Sequence, residues 1–142
     1  MKILVLLAFA FAAFNTGLIW MVQVVHYPGF LHLNHKGYEE YQNFHMRSIS
    51  FIVGPSMLLE LTASSLLFPY FDQLTHPITY SLSFGMLLLI FANTAFWAAP
   101  THSKMLAGFN NKLINRLIKI NWWRTVLWSA RALILGYLLY FI

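Results

Sequence analysis

Four apolar runs, each long enough to cross a bilayer, most narrowly limit what this chain can fold into. A span needs about 20 residues. Runs of that kind cover Ile3 to Val25, Ile49 to Phe71, Ile78 to Ala99 and Leu117 to Phe141. In hydrocarbon every backbone polar group must be satisfied within its own segment, so each run is expected to be a helix. The expected fold class is all-α, a four-helix transmembrane bundle, up-down-up-down, with short amphipathic cytoplasmic connections. So little chain lies between the runs that residues 1–142 read as a single integral membrane domain. Only 9% of the residues are charged, where a soluble domain carries about 25%. The start of the chain imitates a signal peptide, with Lys2 before an Ala-rich stretch from Ala8 to Ala13. The apolar run outlasts an h-region of about 7–15 residues, so it reads as a first transmembrane helix. Cysteine is absent, which excludes disulfides and thiol chemistry in this chain.

The net charge of +5 follows membrane topology and does not point to nucleic acid. The first connection holds Lys36 and Arg47, and the third holds Lys104, Lys112, Arg116 and Lys119. The opposite side offers Lys2 against Asp72. The positive-inside rule then puts connections 1 and 3 in the cytoplasm and both termini in the periplasm of a cell inner membrane. The stretch from Lys112 to Ile120 alternates basic and apolar residues, which suits contact with anionic membrane lipids as well as a solvated basic flank. Tyr38, Tyr41, Phe44 and His45 recur at helical spacing, so the second helix is expected to begin well before the membrane, with Glu39 and Glu40 in its first turn. Thr101, after Pro100, is an expected helix cap, and Asn110 or Asn111 another, beyond a break at Gly108. Pro55 after Gly54 is expected to kink or loosen the second helix.

Each span also carries a polar face. Asn121, Arg124, Trp128 and Arg131 step by three, four and three and share one side of the last helix. Asn15, Ile19, Gln23 and His26 do the same in the first helix, Ser56, Glu60 and Ser64 in the second, and Asn93 with Trp97 in the third. At 1.5 Å rise per residue, Glu60 and Arg131 lie at one depth, roughly 18 Å in from the cytoplasmic ends of their helices. An intramembrane arginine needs a partner, so Glu60 is expected to pair with Arg131. Such a pair either serves chemistry or only fixes helix register. Arg124, Gln23 and Asn93 form a shallower layer, and His26, His45 and His102 ring the cytoplasmic mouth. Imidazole and carboxylate suit iron, copper or zinc. The three histidines are therefore candidate ligands of a transition metal or haem, although no cofactor is required.

The run Asn121-Trp122-Trp123-Arg124, followed by Trp128-Ser129-Ala130-Arg131, resembles the C-terminal helix of the anthrone-oxygenase-like family of small four-helix bacterial membrane proteins. Characterised members are cofactor-independent oxygenases of flat polyketide anthrones. The resemblance implies that Trp128, Arg124 and Arg131 line a pocket, and that the protein is a membrane oxidoreductase or oxygenase. It extends to no assignable motif around His26 or Glu60.

Three functional classes remain open. The first is an enzyme or binder of a lipophilic small molecule. In it Arg124 and Arg131 stabilise negative charge, Glu60 or His26 moves protons, and Asn15, Gln23, Asn93, Trp97, Asn121 and Trp128 bind the ligand. The second is a structural or accessory subunit of a membrane complex or homo-oligomer. The third is a small transporter.

Overall fold

The computed structural model describes residues 1–33 and 35–141, with the backbone alone for residue 35. Among the described residues every regular element is helical. Four long stretches carry the fold: α1 (Lys2–His32), α2 (His35–Ser65), α3 (Pro77–Met105) and α4 (Asn111–Tyr140). A 3-10 segment, Phe68–Gln73, links α2 to α3. α4 lies against α1 and α3, and α1 also lies against α2. α1 and α3 are long and apolar enough to cross a membrane.

α1 and α3 run further than the apolar count indicates. Both continue through a proline, Pro28 and Pro100, although the first apolar run ends at Val25 and Thr101 was expected to cap a new helix after Pro100. Thr101 is accordingly inside a helix, its hydroxyl donating to the Trp97 carbonyl at 2.7 Å, and it caps nothing. In both helices a π-helical turn ends two residues before the proline, at Val22–His26 and at Thr94–Ala98. Proline has no N–H for the carbonyl four residues back, and its ring collides with that carbonyl. The wider π turn makes room for the ring and keeps the helix going. In α2, Pro55 is likewise carried inside a continuous helix. Gly54 before it has no Cβ to meet the ring.

Of the two caps expected for the last helix, Asn110 is the one, and Asn111 is the first helical residue. The Asn110 side chain accepts from the Lys112 and Leu113 amides at 3.0 and 3.1 Å, satisfying two of the donors an N-terminus leaves free. Gly108 just before it has φ +122°, a conformation that residues with a Cβ rarely adopt.

The interior is layered. Small and aliphatic residues, Val5, Ala8, Ala12, Ala63 and Leu135 among them, fill one end. Ile19, Met57, Ile90 and Trp128 fill the middle. Tyr27, Phe30, Tyr38, Met105 and Leu117 fill the other end. Between the first two layers lies the ion pair. Arg131 Nε donates to Glu60 Oε1 at 2.7 Å, with both side chains fully buried. Arg131 also donates to the Ser83 carbonyl (2.6 Å), Ser83 Oγ (2.9 Å) and Ser64 Oγ (2.5 Å). Glu60 Oε2 accepts from Asn15 Nδ2 (2.8 Å) and Trp128 Nε1 (3.0 Å). The network draws on all four helices.

Removing one member of a buried pair strands the other charge, at a cost of about 3–5 kcal/mol. Glu60→Gln is therefore expected to lower the melting temperature of the purified protein by many degrees. The double variant Glu60→Leu/Arg131→Leu is expected to recover part of the loss. Unchanged melting of Glu60→Gln would remove the pair as the organising contact.

Candidate functional site

A cavity of about 220 Å³ opens beside the middle layer, lined by residues of all four helices. Its apolar wall includes Leu18, Val22, Ile49, Val53 and Met57, and its polar groups include Asn15, Tyr27, His102 and Arg124. Ser50 of α2 and Ala99 of α3 line it and are exposed, which marks the opening. Both π turns border this cavity, through Val22 on α1 and Thr94 and Ala98 on α3. Gly54 beside Pro55 lines it from α2. A π turn makes room beside a helix without losing its hydrogen bonds, and π turns frequently mark functional sites.

Two expected faces go astray at the π turns. In α1 Val22, Gln23 and Tyr27 are all buried, so the inner face passes from Gln23 to Tyr27 and not to His26. Tyr27 lines the cavity, while His26 is half-buried outside it. In α3 the four-residue step from Asn93 was expected to bring Trp97 inside. The π turn makes the inward step five, so Ala98 is buried and Trp97 is 47% exposed. Asn93 is half-buried and its Oδ1 finds no partner.

The two arginines differ in their surroundings. Arg131 is saturated by the Glu60 network and lies outside the cavity lining. Arg124 lines the cavity and is 5% exposed. Its Nη1 donates weakly to Asn121 Oδ1 at 3.3 Å, it interacts with the Tyr27 hydroxyl, and its guanidinium stands 5.2 Å from the Trp128 ring centroid. Its Nε is buried with no acceptor. Among the described residues the only ion pair is Glu60 with Arg131, so Arg124 has neutral neighbours alone. Asn121 is held in turn, donating to Gln23 Oε1 at 2.8 Å. Glu60 touches the cavity through others, since it fixes Asn15 and Trp128, both of which line it.

The three expected mouth histidines do converge. His26 Nε2 meets His45 Nδ1 at 2.6 Å, and the His45 and His102 rings lie 5.4 Å apart. Gln42 Nε2 lies 3.2 Å from His102 Nδ1, and the Tyr27 hydroxyl lies 2.8 Å from His102 Nε2. With the Gln42 amide donating, His102 Nδ1 accepts, so its Nε2–H donates to Tyr27. This is a hydrogen-bonded cluster in which the facing nitrogens are spent on each other and on Tyr27 and Gln42. Among the described residues no three His, Cys, Asp or Glu side chains are placed to hold a metal ion. Tyr27 and Gln42 are members that sequence reasoning passed over. Gln42 had a signal, since Tyr38, Gln42 and His45 step by four and three and all are buried.

No protein family, curated protein or solved structure matches the chain.

His45 is buried, and that burial together with the neighbouring His26 and His102 rings pushes its pKa from 6.5 down to about 3. The unfolded chain therefore takes up this proton at a higher pH than the fold does. Stability conferred by neutral His45 is intact above pH 6.5 and is lost as pH falls from 6.5 towards 3, by about 2 kcal/mol at pH 5. The melting temperature is expected to drop on acidification, and His45→Gln to flatten that drop. Superimposable pH curves for the two proteins would contradict this.

Proposed function

We propose that the chain is a multi-pass inner-membrane protein, a four-helix transmembrane bundle that binds a lipophilic small molecule in the Arg124 cavity and acts on it. Support for four spans comes from the outer faces. Phe51 (84% exposed), Ile78 (77%), Leu133 (76%) and Tyr140 (83%) face outward on α2, α3 and α4. Within the apolar runs of α2 and α4, Glu60 and Arg131 are turned inward and neutralise each other, and Arg124 is turned inward as well. In α1 and α3 only 28% and 22% of the most apolar window is buried, the reverse of a core helix in water-soluble proteins. Exposed Trp20, Trp122 and Trp123 suit a headgroup belt at the basic, cytoplasmic side.

The observation that carries the binding reading is the cavity itself. Its walls are mainly aliphatic, two π turns and Gly54 border it, and a few polar groups line it. That is the make-up of a small-molecule site. The resemblance of the last helix to anthrone oxygenases extends the reading to oxidation of the bound molecule, with Arg124 and Trp128 on the pocket wall. Arg131 and Glu60 take a positioning role in it, through Asn15 and Trp128.

Two measurements test these proposals. Because the chain has no cysteine, single cysteines at Lys36, Asp72 and Lys104 report topology directly. Positions 36 and 104 are expected to label from the cytoplasm and 72 from the periplasm; labelling of all three from one side would refute four spans. For the cavity, organic extraction of the purified protein and mass spectrometry are expected to recover a bound lipophile. Ser50→Phe, which places a ring at the opening, is expected to deplete it. Equal recovery from both proteins would place the lipophile elsewhere.

A further inference from the structure

One charged group beside the cavity has no counter-charge. Arg124 is nearly fully buried, yet no carboxylate meets it. Leaving a guanidinium uncompensated in an apolar interior is expensive, and Arg131, seven residues on, has its charge fully matched. The chain's acids do not offer a substitute. Glu60 is committed to Arg131, Glu39 and Glu40 are exposed at the start of α2, and Asp72 is exposed beyond its far end. The contacts Arg124 does make, with Asn121, Tyr27 and the face of Trp128, are all uncharged. One donor, Nε, is unused.

We infer that the missing counter-charge is supplied by the ligand, and that the cavity takes a lipophilic carboxylate. Its head sits on the Arg124 guanidinium and its aliphatic body lies along Leu18, Val53 and Met57. A planar carboxylate accepts two parallel hydrogen bonds from a guanidinium. Tyr27, whose oxygen already accepts from His102, keeps its own hydroxyl proton free for the same head. Leu, Val, Ile and Met walls suit a flexible alkyl chain, and methionine adapts to varied shapes. Access from the side fits too. α2 and α3 make few close backbone approaches; their tie is at the other end of the fold, where Tyr80 donates to the Ser64 carbonyl. An amphiphile would enter between them, past Ser50 and Ala99.

The inference rests on the lipophile-binding reading, and the test separates the two. Delipidated protein in mild detergent is melted against decanoate and against 1-decanol, which share a chain and differ in charge. Decanoate is expected to raise the melting temperature at concentrations at least about tenfold lower than decanol. Arg124→Gln is expected to abolish that preference, and Arg124→Lys to keep part of it. Ser50→Phe, a surface change that leaves Arg124 intact, is expected to weaken both ligands, and it decides the matter if Arg124→Gln does not fold. Equal response to decanoate and decanol, or a preference that survives Arg124→Gln, overturns the carboxylate and leaves the lipophile site standing. A decanoate preference untouched by Ser50→Phe puts the carboxylate outside this cavity and also overturns the inference. No response to either ligand overturns both readings.

Discussion

A carboxylate and a guanidinium buried together in an apolar interior set the terms for everything around them. Neither ion tolerates a vacant hydrogen-bonding position there. Glu60 and Arg131 therefore recruit Asn15 from α1, Ser64 from their own side of the fold, Ser83 from α3 and Trp128 from α4. Helices that each supply a partner cannot slide past one another without breaking a bond to a charge. The pair thus fixes relative depth for all four, a role for which buried polar groups are well attested. It also decides where the open end begins. On one side of the network lies the apolar cluster around Val5, Ala8, Ala12, Ala63 and Tyr80. On the other lies the cavity.

The same chain shows what two arginines become in different company. Arg131 is held by a carboxylate and by serine oxygens, and its chemistry is finished once the fold is formed. Arg124 keeps an unmatched charge facing the cavity. Asn15 and Trp128 stand between these two situations, each bonded to Glu60 on one side and lining the cavity on the other. The rigidity of the network is thereby lent to the walls beside Arg124, as site residues need for fixed geometry. The histidine cluster sits at the mouth and reaches the same guanidinium through Tyr27.

Much of this was legible in the sequence because helix rise and helix period are dependable over straight segments. Counting depth along two apolar runs paired Glu60 with Arg131, and steps of three and four aligned Asn121, Arg124, Trp128 and Arg131. The Asn110 cap was readable from residue type and position. What was not legible depended on departures from that period. Ala98 is inward and Trp97 outward across the π turn of α3, and Tyr27 takes the inner position expected of His26 across that of α1. A wheel drawn at 3.6 residues per turn has no way to know this. The spacing was nonetheless in view, as Val22 to Pro28 and Thr94 to Pro100 repeat one pattern. Ser83 gave no warning, since a lone serine in an apolar helix ordinarily bonds its own backbone. It is a ligand of Arg131 only because α3 happens to pass there.

Each π turn is, in effect, a spare residue held in the helix. It takes up one residue in a wider turn, so the helix beyond keeps the face it would have had without that residue. The body of α1, around Ala8, Ala12 and Asn15, and its mouth, around Tyr27 and Phe30, are thus joined through a turn with slack in it, and α3 repeats the device. One deletion within Val22–His26 or Thr94–Ala98 would close that turn to an ordinary α turn, leaving the side chains beyond it on their present faces but bringing the proline ring back against the carbonyl four residues before it.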